Sequence, residues 1–283
     1  MIDSPKVWFI TGASRGLGAA VVTEALARGH RVVATGRDAD AVRRAFPAAD
    51  SLLALALDVT DEQSVQAAVG AAVEHFGRID VLVNNAGRGL IGAVEEVSDS
   101  AARAVFDTNV FGVLTVQRAV LPTLRAQGSG HVINISSVGG FARAAPGWGL
   151  YASTKFALEG LTEALNAELV PLGINVTIVE PGGFRTDFLD GSSLHIEPTV
   201  IDDYAATSGL TRGIPAEHNH AQRGDPAKAA IAIVDLTEAT DPPLRLQLGA
   251  DSVARIEAKL ALVHTELETW RKVALATDHD DVV

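Results

Sequence analysis

The stretch KVWFITGASRGLG, residues 6–18, runs from a short apolar segment into a glycine-rich turn and then into a helix-like pattern. KVWFIT (6–11) reads as a buried strand, and Gly12, Gly16 and Gly18 lead into the amphipathic segment at 17–29. Glycines at such a junction let the backbone turn tightly and bring bare N–H groups at a helix N-terminus against a phosphate. The spacing is not G-x-G-x-x-G, so the reading rests on the strand–turn–helix setting. The same letters, G-A-S-R-G, also match a hydrolase nucleophile elbow around Ser14, which would need a later acid and a later histidine as partners. Against that alternative, the elbow would lie on the first strand, with no HGGG-like segment nearby. A turn that merely joins strand to helix is the plainest reading of all.

Further along the chain the alternation continues. Strand-like runs recur at 31–35, 52–57, 79–84, 131–136, 174–179 and 244–248. Helix-like segments fall at 38–46, 61–76, 100–126, 149–170, 226–238 and 250–275. Near-continuous apolar strands separated by crossover helices predict a doubly wound α/β fold. The expectation is a parallel sheet of about seven strands with helices on both faces, in one domain over 1–283, and ligands beyond the carboxyl ends of the strands. The irregular stretch 186–224 is long for a connection, which marks it as a substrate-covering segment. The last element is a C-terminal helix at 250–275, and the tail DHDDVV is expected to fray.

Composition narrows the classes. The 283 residues are 47% hydrophobic with a net charge of −12, which disfavours nucleic acid and anionic membrane as partners. Mean hydropathy is +0.20, yet no apolar run approaches the ~20 residues that span a bilayer. No basic segment followed by a long apolar run begins the chain, so a soluble, cytoplasmic protein is expected. The absence of cysteine excludes disulfides, thiolate metal sites and a cysteine nucleophile.

The end of the second strand, RVVATGRD, sharpens the ligand. A site for NAD normally places an acidic residue there to bond the ribose 2′-hydroxyl. This chain has Gly36 and then Arg37. Arg37 and Arg15 together would suit a 2′-phosphate through charge-assisted bonds, which favours NADP(H) over NAD(H). Asp38 is one position further on and is equally suited to cap the next helix.

In LYASTKFALEG (150–160), Tyr151 and Lys155 stand one helical turn apart and rise on the same side. Phe156, Ala157, Leu158, Gly160, Leu161, Ala164, Leu165, Ala167 and Leu169 form a wide apolar arc, which predicts a largely buried helix. Lys155, Glu159, Thr162, Glu163 and Asn166 form a narrower polar stripe with Tyr151 at its edge. By periodicity alone, Lys155 could simply pair with Glu159 in water.

Seven motifs occur in order: TGASRGLG (11–18), DVT (58–60), NNAG (84–87), Asn109 within FDTNVFGVL, NISS (134–137), YASTK (151–155) and EPGGFRT (180–186). Together they resemble the classical short-chain dehydrogenase/reductase family over about residues 5–190, with a weaker continuation to 250. The likeness is greatest to the branch holding hydroxysteroid and retinol dehydrogenases and many bacterial ketone reductases. It implies a Rossmann-type fold and an oxidoreductase that moves a hydride between NADP(H) and a carbonyl or secondary alcohol, with a small apolar substrate. The resemblance assigns Gly12, Ser14, Arg15, Gly16, Leu17 and Gly18 to the pyrophosphate turn, with Asp58 and Val59 on the adenine. It sets Asn85, Ala86 and Gly87 beside the sugars, and gives the nicotinamide carboxamide to Pro181, Gly182, Phe184 and Thr186. Tyr151 becomes the general acid or base, Lys155 its cationic neighbour on the ribose, Ser137 the group orienting the carbonyl oxygen and Asn109 the holder of a relay water. It also implies a homodimer or homotetramer through helices 100–126 and 149–170, and no metal.

The chemistry fits these residue types. Moving a phenol from a pKa near 10 to about 7 takes roughly 4 kcal/mol. An ammonium about 4 Å away supplies that order of energy at an effective dielectric of ~20. With that geometry Lys155 faces Tyr151 and the ribose, leaving Glu159 to solvent or another subunit. One departure stands out: the interval from Ser137 to Tyr151 is one residue longer than is usual in the family, so Ser136 remains an alternative. Arg143 and Trp148 are candidates for the pocket mouth, and EHNH (His218, His220) is a weak metal motif without a convincing ligand set. A non-catalytic NADP(H)-binding regulator on the same fold and a serine hydrolase using Ser14 are the rival readings.

Overall fold

The computed structural model describes residues 5–142 and 145–279. Arg143 and the last residues of the tail lie outside them. The chain opens with β1 (Val7–Ile10), α1 (Gly16–Ala27), β2 (Arg31–Gly36), α2 (Ala39–Ala45), β3 (Leu52–Ala56), α3 (Glu62–Phe76), β4 (Val81–Asn84) and β5 (Gly89–Ile91). There follow α4 (Asp99–Phe106), α5 (Gly112–Gln127), β6 (Gly130–Ile135), α6 (Gly149–Leu169), β7 (Ile174–Pro181) and β8 (Leu194–Ile196). The remaining elements are α7 (Ser208–Thr211), α8 (Ile214–His218), α9 (Pro226–Asp235), β9 (Arg245–Leu248) and α10 (Ala250–Leu275).

Seven strands form one sheet in the order β3-β2-β1-β4-β6-β7-β9, every pairing parallel. The fold is the expected doubly wound, Rossmann-type α/β architecture. The chain walks outward from β1 to β3, then crosses back to lay β4 against the other side of β1. That reversal opens a crevice at the carboxyl ends of β1 and β4.

The sheet is buried on both faces because its strands alternate apolar side chains. Val7 and Phe9 join a core with Val65 and Val69 of α3, Val116 and Val120 of α5, and Leu165 of α6. Trp8 and Ile10 point the other way, onto Val21 and Val22 of α1 and Ile233 and Val234 of α9. Each such fully buried side chain contributes about 1.5–3 kcal/mol by leaving water. No helix of the described residues is long and apolar enough to cross a membrane.

Three regions depart from the periodicity. The expected helix at 100–126 is split by a π-helical turn, Asp107–Phe111, between α4 and α5. Gly112 follows it at a close approach, where an added Cβ would lie 2.6 Å from Val59 Cγ2. The stretch 186–224 is more ordered than expected. It holds β8, which pairs with β5 in a small parallel sheet, two 3-10 turns, and α7 and α8.

The third departure is α6, where Leu158, Leu165 and Leu169 are buried as the sequence reading expects but other members of the two faces are not where it puts them. Lys155, Glu159 and Thr162 are buried, whereas Phe156, Gly160, Ala164 and Ala167 are exposed. Glu159 is therefore not left to solvent. Part of the polar stripe reaches other polar groups inside the domain: Thr162 accepts from Asn134 at 2.9 Å, and Lys155 donates to Ile135 O at 2.8 Å.

Candidate active site

The Gly-rich turn is built for an anion. Gly12 (φ +64°) and Gly16 (φ +59°) hold the left-handed conformation that the turn requires. A Cβ on Gly12 would lie 2.9 Å from Ala86 Cα, so the approach admits only glycine. Helices α2, α3, α4 and α9 are capped by the side chains of Asp38, Asp61, Ser98 and Asp225. Helix α1 starts at Arg15 with no side-chain cap and no acid in its first turn. Its uncovered N–H groups open toward the crevice, as a phosphate site demands. Gly18 serves packing instead: a Cβ there would lie 2.4 Å from Asn85 Nδ2.

The turn is tied to NNAG by side chains. Asn85 donates to the carbonyls of Thr11 and Gly12, both at 2.9 Å. Thr11 Oγ1, which the sequence reading passed over, accepts from the N–H groups of Asn85 and Ala86 at 3.0 Å.

One cavity of about 1860 Å³ runs from this turn across the switch point. It exceeds the ~300–1,000 Å³ typical of a site for one small ligand, leaving room for a dinucleotide and a substrate. Gly12, Ser14, Arg15, Gly16, Leu17, Arg37, Asp58, Val59, Asn85, Ala86 and Gly87 line it toward one end. Ser137, Tyr151, Lys155, Pro181, Gly182, Phe184 and Thr186 line the other. Of the residues singled out from the sequence, Gly18 and Asn109 lie behind its wall.

At the end of the cavity beside the Gly-rich turn the two arginines part company. Arg15 donates to Ser193 Oγ at 2.8 Å and so ties the first turn to the covering segment. Arg37 is exposed, and its charge helps hold the Asp58 carboxyl below its ordinary range, after the Thr60 N–H and hydroxyl. Asp38 is used as the α2 cap, accepting from Asp40 N–H at 2.8 Å. Ser14 faces Gly36, and among the described residues it makes no hydrogen bond to a histidine, so a hydrolase elbow would lack its base.

At the other end Tyr151 and Lys155 line the cavity from α6 and are largely buried, 8% and 6% exposed. Burial pushes the Tyr151 phenol up to about 12, opposed by a hydrogen bond with the Ser137 hydroxyl. Burial pulls Lys155 down to about 8, opposed by the charge of Glu159. Lys155 Nζ is 5.9 Å from the Tyr151 ring centre. Trp148 and Phe188 flank that ring, with centroids 5.5 and 5.6 Å away, and make an apolar collar beside it.

The two serines point in different directions. Ser137 sits on the Tyr151 side, its Oγ capping the 3-10 turn Val138–Gly140 through Gly139 N–H at 3.0 Å. Ser136 turns the other way: a Cβ on Gly140 would lie 2.6 Å from Ser136 Oγ and 3.1 Å from Glu159 Oε1.

Asn109 is fully buried in the π turn. Its Oδ1 accepts from Arg88 N–H at 2.9 Å, and its Nδ2 donates to Arg88 O at 2.9 Å and Thr154 Oγ1 at 3.0 Å. It reaches the site through Gly87, where a Cβ would lie 3.3 Å from Asn109 Oδ1 and 3.8 Å from Lys155 Nζ. Thr154, also missed in the sequence, thus locks α6 to the π turn.

The covering segment is clamped by Glu96, which is 3% exposed. Its carboxylate accepts from Ile201 N–H at 3.0 Å, Ala93 N–H at 2.8 Å and Arg212 Nη2 at 2.6 Å. These bonds, the backbone ones foremost, hold it down at about 2. Nothing in the local sequence marks Glu96 over its neighbour Glu95. Farther along the segment, His220 Nε2 lies 3.4 Å from Asp190 Oδ1, with Asp187 close by, while His218 sits 3.9 Å from Glu217.

A nucleotide-binding cleft with a tyrosine–lysine pair on its floor is the mark of a Rossmann-type oxidoreductase. Residues 6–196 match the family described as short chain dehydrogenase. Oxidoreductase BOA17 of Botryotinia fuckeliana is 39% identical over 281 residues, covering 96% of this chain and 99% of that one. A short-chain dehydrogenase from Streptomyces avermitilis superposes with a TM-score of 0.88 at 42% identity, covering 96% and 100% of the two chains. The 3-ketoacyl-(acyl-carrier-protein) reductase of Brucella melitensis, solved in complex with NADH, superposes with a TM-score of 0.71 at 28% identity, covering 86% and 96%. The chain belongs to the short-chain dehydrogenase family and is an oxidoreductase.

Proposed function

We propose that the protein is a cytoplasmic, NADP(H)-dependent reductase or dehydrogenase acting on an apolar carbonyl or secondary alcohol. The convergence of Ser137, Tyr151 and Lys155 on one end of a cavity whose other end is the uncapped α1 turn carries this reading. The bound dinucleotide supplies or accepts the hydride.

The chain's own residues do the rest. Ser137 orients the substrate oxygen against the Tyr151 hydroxyl. Tyr151, held protonated by burial, donates its proton to that oxygen in reduction and takes it back in oxidation. Lys155, its Nζ over the Tyr151 ring, favours the phenolate by the attraction of its charge. That offsets the upward push of burial. Asn109, Thr154 and Gly87 fix Lys155 from behind. Trp148 and Phe188 exclude water and favour an apolar substrate body beside the reacting carbon.

Cofactor preference rests on the end of β2. Gly36 offers no carboxylate to a ribose 2′-hydroxyl, Asp38 is engaged as a cap, and Arg37 is exposed beside the adenosine end. Arg15, bound to Ser193, contributes less than the sequence implied. The exposed face of α6, with Phe156 and with Phe111 of the π turn, supports association into a homodimer or homotetramer. Oxidation of NADPH, followed by absorbance across ketones, aldehydes, steroids and quinones, tests the activity. Cofactor binding without turnover on any of them would revive the non-catalytic regulator.

A further inference from the structure

Behind Lys155 lies a buried acidic pair that the reaction outlined above does not use. Glu159 stands one helical turn along α6 from Lys155, and Glu180 lies on β7. They are 5% and 0% exposed. Arg245 of β9 lies between them, its Nε 3.4 Å from an oxygen of each carboxylate. The Nε makes no well-formed hydrogen bond to either, and Nη2 pairs with the exposed Glu163. Gln247 Nε2 donates to Glu180 Oε2 at 2.6 Å, and Ser252 of α10 donates to the Glu180 carbonyl at 2.7 Å. Both oxygens of Glu159 are left without a well-formed bond, as is the neighbouring Ser136 hydroxyl.

Two buried carboxylates sharing one loosely held guanidinium cannot both ionise cheaply. A proton on Glu159 eases the charge count and supplies a donor where both of its oxygens lack one. The charged groups facing Glu159 are Lys155 and Glu163 from its own helix, Glu180 from β7 and Arg245 from β9. Lys155 is the member that borders the cavity.

We propose that Glu159 is a positioning residue for Lys155, passing between a protonated and an ionised form and so setting the charge held one turn behind the ammonium. This deepens the proposed function and rests on it for its consequence in turnover, though its physical content stands in the free protein. Burial raises the Glu159 carboxyl, with Glu180 adding to the rise and Ser136 and Arg245 opposing it. When Glu159 ionises, its charge keeps Lys155 protonated against desolvation. The serines then divide their work: Ser137 serves the substrate and Ser136 serves Glu159.

The test reads Lys155 directly. The chain's lysines are Lys6, Lys155, Lys228, Lys259 and Lys272, so carbon-13 labelling at the lysine ε-carbon gives a spectrum that Lys155→Met assigns. In Glu159→Gln the titration midpoint of Lys155 should fall by on the order of one pH unit relative to the parent protein. Glu168→Gln, which alters an exposed carboxylate farther along the same helix and away from Arg245, should leave it in place. In turnover, the alkaline limb of the reduction profile should move down with Glu159→Gln, because removing a negative charge lowers the pKa of both Tyr151 and Lys155. Glu180→Gln, which frees Glu159 to ionise over a wider range, should not move it down. An unmoved Lys155 midpoint in Glu159→Gln would overturn the proposal whether or not any carbonyl is reduced. Absence of NADPH oxidation with the midpoint shift intact would instead refute the proposed function alone.

Discussion

Tyr151 is the residue on which the chemistry turns, and its neighbours fix what its loss should do. It touches the cavity, is held protonated by burial, and has Lys155 at 5.9 Å. Tyr151→Phe removes the proton donor and leaves the apolar collar of Trp148 and Phe188 in place. Turnover should fall about 10²–10⁴-fold, the usual worth of general acid catalysis, with NADPH affinity little changed. Fluorescence titration of NADPH alongside steady-state rates checks both halves, and undiminished turnover would remove Tyr151 from the reaction. Arg37→Ala should weaken NADPH about tenfold or more while sparing NADH, as loss of a charge-assisted phosphate contact requires. Equal weakening of the two cofactors would place Arg37 elsewhere than at a 2′-phosphate. The motif residues were legible because spacing on a helix or turn fixes them locally: Tyr151 and Lys155 by one turn of α6, Gly12 and Gly16 by the strand–helix junction. Glu159 was misread for the opposite reason. Its burial is decided by Glu180 and Arg245, distant in sequence and joined only when β7 and β9 pair.

Among the elements, the covering segment shows most clearly what periodicity misses. Its pieces are too short to give a helical or strand period, so 186–224 looked structureless. Order comes instead from long-range pairing: β8 on β5, and the Glu96 carboxylate gathering Ile201, Ala93 and Arg212. The π turn was hidden likewise, since its residues continue the apolar pattern of α4 and α5 and only Gly112 hints at the close approach to Val59. Glu96 yields a signed prediction. Its folded pKa, about 2, lies below the 4.5 of a free glutamate side chain, so its stabilisation is fully present above the unfolded value and is lost as pH falls through the folded one. Glu96→Gln should therefore speed hydrogen exchange in the covering segment at pH 7 and raise KM more than it lowers kcat. The difference from the parent protein should narrow as pH drops from about 4.5 toward 2. A difference in exchange that stays constant across that range would show that the Glu96 charge does not hold the segment.

Across the whole molecule, apolar surface is left uncovered in two places with different consequences. Beyond residue 259, α10 extends with every described residue exposed, Leu260, Leu267 and Trp270 among them, so it adds nothing to either core. A chain ended after residue 259 should keep its unfolding midpoint within about 4 °C, the shift that ~1 kcal/mol produces in a domain of this size or somewhat smaller. A larger fall would mean that the distal helix is packed on something in solution. The second surface is the face of α6, where Phe156 is 45% exposed and the small residues Gly160, Ala164 and Ala167 allow close approach, with Phe111 of the π turn 55% exposed as well. The same helix presents Tyr151 and Lys155 on its inner side, so a partner docked on the outer side would brace the reacting pair. Phe156→Glu puts a charge at the centre of that face and should shift the mass in light scattering from a multiple of the chain to 29.5 kDa. Turnover should fall with it, and recover as protein concentration is raised, if assembly steadies α6. A parent protein already at the monomer mass at micromolar concentration would show that α6 presents this face to water.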